Sequence, residues 1–399
     1  ENDRTLQQQY GLLVHQVMAT NYPQWVQDRP MPPLSPSGKI RIGYLSDCLR
    51  QHTVGKLFLG WLRHCDRQKF EVYCYSLNRE QDAIAQEIQR HSDAFHQISG
   101  DLEGMCQQIL NDDLHVLTFL DIGMHPKASQ IASLRLAPVQ CMAWGHPVTS
   151  GLPTVDYFLS SDLMEPENGE AHYSEQLVRL PGISIAYTKP TLPELTKTRA
   201  DFGLRSDAVV YLSCQSLFKY LPQYDFVFAA IAQQVPQAQF AFLAHFSPAV
   251  TEKFRQRLQR AFAAVNLNSE DYCVLVPRQG PTGYLQLNLL ADIFLDTFAW
   301  SGGNTTLEAI ACNLPVVTCP GEFMRGRHAA GILQALGIPE TIAANSEDYV
   351  AIAVKLVLDT AWRQQMVRRI TQGHTQLYDD PSCVRALEAF YQQVVQAEV

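Results

Sequence analysis

The chain has 399 residues, of which 46% are hydrophobic and 18% charged, a composition typical of a globular protein large enough for two domains. The net charge of −9, with no basic stripe, argues against nucleic-acid binding. No apolar run is long enough to span a membrane, and the ten cysteines form no C-x-x-C pair. We therefore expect reduced thiols in a cytoplasmic protein without a zinc site or a disulfide framework.

The first 38 residues differ from the rest of the chain. Residues 1–30 carry a Gln-rich helical pattern, and a proline-rich break follows at Pro30–Pro36. This pattern predicts a helical segment and a stiff linker over 1–38. Because the sequence does not begin with Met, we expect this segment to be the end of a longer helical region.

An alternation of strands and helices predicts a first lobe over 39–186. Short apolar runs bounded by turn residues indicate five buried strands: Lys39–Ser46, Phe70–Leu77, Val116–Gly123, Ala137–Gly145 and Val155–Ser160. Helical patterns lie between them, for example at Gly55–Cys65 and Gln81–His91. This alternation predicts a parallel sheet with helices on both faces.

A polar linker over 187–200 leads to a second lobe over 201–380 of the same kind. Its predicted strands are Ala208–Cys214, Gln239–Phe246, Tyr272–Pro277, Ile293–Phe298 and Pro315–Pro320. Its predicted helices are Pro222–Val235, Ala249–Val265, Asn304–Cys312 and Arg325–Leu336. A final helix over 381–399 is expected to pack on the first lobe. The predicted fold is thus two tandem Rossmann-like, doubly wound α/β lobes, with a ligand cleft between the carboxyl ends of the two sheets.

One stretch between a predicted strand and a predicted helix is typical of a phosphate site. It reads Ser301-Gly302-Gly303-Asn304-Thr305-Thr306-Leu307-Glu308-Ala309. The two glycines allow close approach of the backbone, whose N–H groups bind phosphate, and the two threonines are expected to cap the helix. Glu308 is expected in the first helical turn, where it accepts hydrogen bonds from ribose hydroxyls. The alternative is an ordinary strand–helix junction.

Two further side chains follow strands and are expected at the carboxyl edges of the sheets. Lys219 follows the first strand of the second lobe, where its charge can neutralise a pyrophosphate. His52 follows the first strand of the first lobe, where it can act as a base or donate to a substrate oxygen. The alternatives are a solvated surface lysine and a histidine that caps a helix.

The loop that contains Trp144, His146 and Pro147 also ends a predicted strand. Trp144 and His146 are interpreted as lining an acceptor groove whose shape Pro147 helps to fix, with simple turn chemistry as an equal alternative. The acidic pair Asp112-Asp113 precedes a strand and is interpreted as a solvated turn, so no metal site is expected. A helix N-terminus and a lysine can stabilise a leaving pyrophosphate without a divalent ion.

Taken together, these motifs resemble the catalytic region of the Spindly-type O-linked N-acetylglucosamine transferase family, in a bacterial-like form without the inserted domain of animal members. The resemblance runs in order from Lys39 to the C-terminus. It is carried by these residues: Ile40–Ser46, Arg50–His52, Ala137–Gln140, Trp144–Pro147, Ser150-Gly151, Asp156-Tyr157, Leu217–Lys219, Ala291–Thr297, the phosphate turn, Pro320–Glu322 and Arg327–Ala330.

The resemblance implies a GT-B glycosyltransferase that transfers N-acetylglucosamine from UDP-N-acetylglucosamine to protein Ser or Thr, with inversion and without a metal or other cofactor. It implies tetratricopeptide repeats before the catalytic region, through which the protein could oligomerise. In such an enzyme Lys219, Thr305 and Thr306 contact the donor diphosphate, and His52 lies beside donor and acceptor. The remaining residues implied on the donor side are Gln215, Ser216, Gln279 (through its backbone), Gly302, Gly303, Asn304 and Glu308.

Several positions depart from the family pattern. Asn304 replaces a frequent His, His146 replaces a Tyr, and Cys48 stands where an Asp is usual. Ser216 stands where an amide is common, and Glu308 lies one residue before an Asp of some members. The alternatives are therefore the same chemistry with GDP-fucose or UDP-glucose, a non-catalytic nucleotide-sugar-binding scaffold, or a nucleotide-sugar epimerase. The expected partners are a nucleotide-sugar donor and a protein acceptor, with no nucleic acid or membrane.

Overall fold

The computed structural model describes residues 2–34 and 36–397. Contacts within the chain divide it into two compact units, which are described separately. The first comprises the described residues of Glu1–Thr188 and Asp379–Val399, and the second comprises Lys189–Tyr378.

The first unit is built on a seven-stranded parallel sheet of order β3-β2-β1-β4-β5-β6-β7. Its strands are β1 Ile40–Ser46, β2 Phe70–Ser76, β3 Ala94–Gln97, β4 Val116–Phe119, β5 Val139–Ala143, β6 Tyr157–Ser161 and β7 Gln176–Leu180. The two edge strands, β3 and β7, were not predicted. Edge strands are partly exposed and carry polar residues, so neither forms the continuous apolar run that marks a buried strand.

The first five helices of the chain also belong to this unit. They are α1 Arg4–Asn21, α2 Thr53–Arg63, α3 Ala83–Arg90, α4 Leu102–Leu110 and α5 Pro126–Ala132. Helices α3 and α4 are each preceded by an aspartate, Asp82 and Asp101, whose side chain accepts a hydrogen bond from a backbone N–H of the first turn.

Helix α1 packs closely on the first unit through two glycines. A Cβ atom added to Gly11 would lie 2.2 Å from the carbonyl oxygen of Gly151, and one added to Gly151 would lie 2.0 Å from that of Gln7. His15 Nδ1 donates to the carbonyl of Ser133 at 2.8 Å. Since any side chain at Gly11 would push the two backbones apart, these glycines fix α1 against the loop after β5.

The second unit contains a five-stranded parallel sheet of order β10-β9-β8-β11-β12. Its strands are β8 Val209–Ser213, β9 Ala238–Leu243, β10 Cys273–Val276, β11 Ile293–Leu295 and β12 Val316–Val317. Its helices are α6 Phe226–Gln234, α7 Pro248–Ala263, α8 Pro281–Leu290, α9 Asn304–Ala311, α10 His328–Ala335, α11 Ser346–Leu358 and α12 Thr360–Leu377.

Two predicted helices of this unit begin later than expected. The residues predicted to start them form separate 3-10 turns, Pro222–Tyr224 before α6 and Met324–Gly326 before α10. Prolines and glycines near these turns interrupt the regular α-helical hydrogen bonding, which the apolar period alone does not reveal.

The last helix, α13 Ser382–Ala397, belongs to the first unit. Tyr391 shares a hydrogen bond of 2.8 Å with Thr118 of β4, and the ring of Phe390 packs edge-on to that of Tyr157. Glu388 accepts a hydrogen bond from the backbone N–H of Asp66 at 2.6 Å. The chain therefore returns to the first sheet after completing the second.

The two parallel sheets confirm the predicted α/β fold class. In each sheet the first strand lies between the second strand and a later one: β1 lies between β2 and β4, and β8 between β9 and β11. At such a switch point the loops after the two central strands lead to opposite faces of the sheet, and ligands of open α/β sheets bind at this edge. Over the described residues, no helix is both long and apolar enough to cross a membrane.

Candidate functional site

The glycine-containing turn lies between β11 and α9, as predicted, but its threonines do not cap the helix. Gly303 is the residue before the helix, and Thr305 and Thr306 are the second and third residues of α9. The buried Thr306 hydroxyl makes no hydrogen bond within the described part of the chain. The first N–H groups of a helix have no partner within it, so backbone donors and a threonine hydroxyl meet at this end of α9.

Gly302 has no room for a side chain. A Cβ atom there would lie 2.2 Å from Gln215 Nε2 and 2.2 Å from Thr305 Oγ1. The absence of a side chain lets Gln215 reach the helix and donate a hydrogen bond of 2.6 Å to the Thr305 hydroxyl. The close backbone approach that the sequence suggested therefore takes place at Gly302.

Lys219 contacts the same glutamine, Gln215. It ends the 3-10 turn Leu217–Lys219 that follows β8, and its Nζ donates to Gln215 Oε1 at 3.1 Å. Burial lowers the pKa of the Lys219 ammonium, and the Asp296 carboxylate opposes that shift. Gln215 therefore connects the lysine to the first turn of α9, and the structure brings together residues from two different loops.

The position of Glu308 corrects one expectation. It is the fifth residue of α9 and so lies beyond the first helical turn. Its side chain is buried, and its charge contributes to the raised pKa of Tyr378, which burial mainly causes. The helix begins at Asn304 as predicted, and Asn304 is itself buried. Because a turn has about 3.6 residues, the fifth residue lies past the first turn.

A cavity of about 290 Å³ opens at the carboxyl ends of β8, β9 and β10. The cavity is lined by the exposed Ser216 and by Gln279, whose Nε2 donates to the Pro277 carbonyl at 2.7 Å. Both residues were predicted to lie on the donor side. Two aromatic rings that the sequence analysis did not single out also line it. Phe218 and Phe246 are 68% and 74% exposed, which is unusual for such large apolar side chains.

His328 is a second residue that the sequence analysis did not select. It begins α10, and its Nδ1 donates to the carbonyl of Ser301 at 3.3 Å. The pKa of His328 is lowered to about 4, mainly by burial; the hydrogen bond to Ser301 opposes this shift, and the positive charge of Lys219 adds to it. Neutral pH therefore leaves an uncharged imidazole beside the turn. The resemblance included this residue, but nothing in the sequence distinguished it from a surface histidine.

In the first unit, His52 is the residue before α2, and its Nδ1 accepts a hydrogen bond from the N–H of Val54 at 3.3 Å. It therefore caps the helix, one of the two predicted alternatives. Because Nδ1 accepts, the proton of the neutral ring is on Nε2, which remains the nitrogen able to meet a substrate. Burial lowers the pKa of His52, as do Arg50 and Lys56, while Asp47 opposes them.

A buried carboxylate that the sequence analysis missed holds the start of the His52 loop. Asp121, after β4, accepts a hydrogen bond from Ser46 Oγ at 2.8 Å, and Ser46 Oγ accepts one from the N–H of Cys48 at 2.8 Å. Burial raises the pKa of Asp121 to about 6. The loop thus leaves β1 in a fixed direction.

The acceptor-side prediction is wrong for Trp144. The indole is 2% exposed, donates from Nε1 to Ser184 Oγ at 2.7 Å and packs edge-on to Phe58, so it is a core residue and lines no groove. Pro147 is buried as well. His146 is half-buried and lines a cavity of about 610 Å³ that α1 also lines.

Glu175 fixes the loop that carries His146. Its carboxylate accepts hydrogen bonds from Thr149 Oγ1 at 2.5 Å, from the N–H of Ser150 at 2.8 Å and from the Ser150 hydroxyl. In residues 2–34 and 36–397 no group of three or more His, Cys, Asp or Glu side chains is arranged to hold a metal ion.

Known proteins resemble this chain over about nine tenths of its length. The probable UDP-N-acetylglucosamine–peptide N-acetylglucosaminyltransferase SPINDLY of Arabidopsis thaliana is 27% identical over 368 residues, which are 90% of this chain and 40% of that protein. The probable enzyme of the same activity called SEC, from the same plant, is 26% identical over 88% of this chain and 37% of its own length. The chain thus spans about two fifths of these relatives.

Solved structures agree with this resemblance. A mutant of the O-GlcNAc transferase of Thermobaculum terrenum is 25% identical and superposes with a TM-score of 0.81, covering 96% of this chain and 74% of the other. This match confirms the predicted GT-B fold class, with two parallel-sheet α/β domains. Glycosyl transferase family 41 matches residues 13–185 and 186–380. The chain therefore belongs to Glycosyl transferase family 41.

Proposed function

We propose that this chain is the catalytic region of an inverting, metal-independent protein O-glycosyltransferase that moves N-acetylglucosamine from UDP-N-acetylglucosamine to Ser or Thr of an acceptor protein. The names of the related plant proteins and of the bacterial neighbour support this donor and acceptor. The observation that carries the proposal is the Lys219–Gln215–Thr305 connection at the N-terminus of α9.

In the proposed reaction the acceptor hydroxyl attacks the anomeric carbon of the sugar from the face opposite the diphosphate. The bond between that carbon and the diphosphate oxygen breaks, and UDP leaves with the electron pair. A single displacement of this kind inverts the anomeric centre. The proton of the hydroxyl passes to a base or to solvent, and His52 Nε2 orients one of the two substrates.

Negative charge develops on the leaving diphosphate, so groups that stabilise this charge accelerate the reaction. Lys219 supplies a full positive charge, and the N-terminus of α9 supplies aligned N–H groups and the Thr305 and Thr306 hydroxyls. These groups lie within one unit and can act together without a divalent cation, which supports the proposed metal independence.

The cavity at the carboxyl ends of β8, β9 and β10 is the proposed nucleoside subsite. Its volume of about 290 Å³ suits a base and part of a ribose. Gln279 is proposed to meet the base through its backbone, because its side-chain amide is already bonded to Pro277. Phe218 and Phe246 offer ring faces for stacking.

The proposal is tested by incubating the chain with UDP-N-acetylglucosamine, UDP-glucose or GDP-fucose and a protein lysate, with and without EDTA, and measuring the mass added to proteins. We expect addition of one N-acetylhexosamine, unchanged by EDTA. Addition of a hexose or a deoxyhexose would replace the proposed donor. Nucleotide binding with neither transfer nor donor hydrolysis would favour a non-catalytic scaffold, and conversion of free donor without an acceptor would favour an epimerase.

A further inference from the structure

Asp296 is a buried carboxylate at the switch point of the second sheet, directly after β11, and it is 3% exposed. Its Oδ1 accepts a hydrogen bond from the N–H of Gly302 at 2.7 Å. Its Oδ2 accepts one from Ser301 Oγ at 2.6 Å and another from Thr318 Oγ1 at 2.8 Å. One side chain therefore ties the phosphate turn both to β11 and to the residue after β12.

Ser301 extends this connection to a second helix. Its hydroxyl donates to Asp296 and accepts from the N–H of Ala329 in α10 at 2.8 Å. Its carbonyl accepts from His328, and its N–H donates to the carbonyl of Arg325 at 2.7 Å. The turn before α9 is thus held on every side, and the Asp296 carboxylate lies at the centre of these contacts.

The three hydrogen bonds that the Asp296 carboxylate accepts come from neutral donors, one backbone N–H and two hydroxyls. These bonds do not by themselves require a charged acceptor. Burial raises the pKa of Asp296 to about 6, which means that ionisation of this group is unfavourable for the folded chain. At neutral pH it is nevertheless ionised. A buried charge kept at a cost to stability suggests a role beyond holding the turn.

Lys219 is the positive charge that Asp296 faces. Both side chains line one small cavity of about 20 Å³, together with Tyr349 of α11. The Asp296 carboxylate raises the pKa of Lys219 against the lowering caused by burial. The same carboxylate that shapes the turn therefore favours the charged form of the lysine.

We propose that Asp296 is a positioning residue for the donor diphosphate: it fixes the Ser301–Gly302 turn and places a negative charge at the cavity that Lys219 also lines. This inference rests on the proposed function of the same site. It concerns a residue that would not touch the reacting atoms and would act through the turn and through Lys219.

The proposal makes a distinctive prediction because two effects of the Asp296 charge have opposite signs. A buried negative charge near an anion site repels the anion through space, so its removal alone would tighten diphosphate binding. Removal of a positioning group loosens the turn and weakens binding instead. The direction of the change in diphosphate affinity therefore distinguishes a charge that only repels the anion from a residue that positions the turn.

Other titratable groups face Asp296 from the elements packed around it, and they bear on any pH dependence. Tyr220 follows the Lys219 turn, Cys319 follows β12, and Tyr349 comes from α11; the Asp296 charge raises the pKa of all three, with burial as the largest cause. His328 of α10 faces Ser301 and is neutral. Near neutral pH these four groups are uncharged. Among the groups near Asp296, Lys219 is therefore the one that loses a positive charge as the pH rises.

The test compares Asp296→Asn with Thr318→Val. The first keeps the shape of the side chain and an acceptor for Gly302 but removes the charge; the second removes one hydroxyl and leaves the charge. For Asp296→Asn we expect UDP affinity by calorimetry to fall about tenfold or more near neutral pH, with the melting temperature retained. We also expect the alkaline loss of UDP binding to move to lower pH. Thr318→Val should change affinity only a few-fold and leave the alkaline loss in place.

Equal or tighter UDP binding by folded Asp296→Asn, or an unmoved alkaline limb, would overturn the positioning role while leaving the glycosyltransferase proposal intact. Failure of the wild-type chain to bind any nucleoside diphosphate would overturn both. If Asp296→Asn does not fold, Ser301→Ala carries the test, because it removes one of the two hydrogen bonds from the turn to the carboxylate and leaves both the Gly302 bond and the charge. We then expect weaker UDP binding with the alkaline limb unmoved, and unchanged affinity would overturn the proposal.

Discussion

Gln215 Nε2 donates to Thr305 Oγ1 at 2.6 Å, so the loop after β8 is bonded directly to the first turn of α9. The other end of the same amide accepts from Lys219. Both polar atoms of the amide are therefore hydrogen-bonded, and the lysine is held near the N-terminus of the helix.

Lys219→Ala is expected to reduce transfer at least about a hundredfold while the fold is retained, because it removes the full positive charge proposed to stabilise the leaving diphosphate. Steady-state transfer with a peptide acceptor measures this. Lys253→Ala, which removes an exposed lysine of α7, is the matched control and should be silent. Activity of Lys219→Ala within a few-fold of wild type would contradict the assigned role.

Gln215→Glu separates the shape of the amide from its donor capacity. The variant keeps an acceptor for Lys219 but loses the N–H group that reaches Thr305, and it adds a negative charge beside the proposed diphosphate. We expect KM for the donor to rise about tenfold or more, with a melting temperature close to that of wild type. A KM equal to that of wild type would show that the connection is dispensable for donor binding.

Gly302→Ala tests the close approach at the turn. The added methyl group would lie 2.2 Å from both Gln215 Nε2 and Thr305 Oγ1, so the loop or the helix must move. We expect a loss of stability of roughly 1–3 kcal/mol and a larger loss of UDP affinity, measured by urea unfolding and calorimetry. Gly280→Ala is the control, because a Cβ atom there meets nothing within 4 Å. Similar behaviour of the two variants would argue against the packing described.

Particular residues show what the sequence could and could not predict. Lys219 and the 301–303 turn were predicted at one edge because the carboxyl ends of parallel strands meet there, and the structure brings them together. Trp144 was placed on a surface because a strand-end loop does not reveal which way its side chains point. Glu308 was placed in the first turn of its helix, although that helix begins at Asn304 as predicted and Glu308 is its fifth residue.

Asp121, Glu175 and Asp296 share a different reason for being missed. Each is a buried carboxylate that accepts hydrogen bonds from backbone N–H groups or hydroxyls of a loop at the edge of a sheet. In the sequence such a residue is indistinguishable from an exposed turn aspartate or glutamate, because its partners are hydroxyl residues and backbone atoms in positions set by tertiary structure. The sequence could therefore predict the residues proposed to meet the substrate better than those that hold them.

Gly11→Ala tests whether α1 is part of the first unit's stability. The methyl group would lie 2.2 Å from the Gly151 carbonyl oxygen, and backbone cannot yield as a flexible side chain would. We expect the melting temperature to fall by several degrees, although alanine is the better helix former. Leu13→Ala, a truncation of a residue 58% exposed on the same helix, should change it little. A rise in melting temperature for Gly11→Ala would mean that α1 does not pack on this loop in solution.

His328 predicts a pH dependence of stability with a definite sign. Its folded-state pKa of about 4 lies below the ordinary value of 6.5, so between these values the unfolded chain binds more protons than the folded chain. The contribution of His328 to stability is therefore present above about pH 6.5 and is lost progressively as the pH falls toward about 4, by up to roughly 3 kcal/mol.

Asp296 and Asp121 titrate in the same range with the opposite sign, since burial raises the pKa of each to about 6. The comparison of wild type with His328→Gln cancels the contributions that these aspartates make to both proteins. Urea unfolding over this range should show a shallower loss of stability on acidification for the variant, and parallel curves would mean that His328 is not buried as a neutral imidazole.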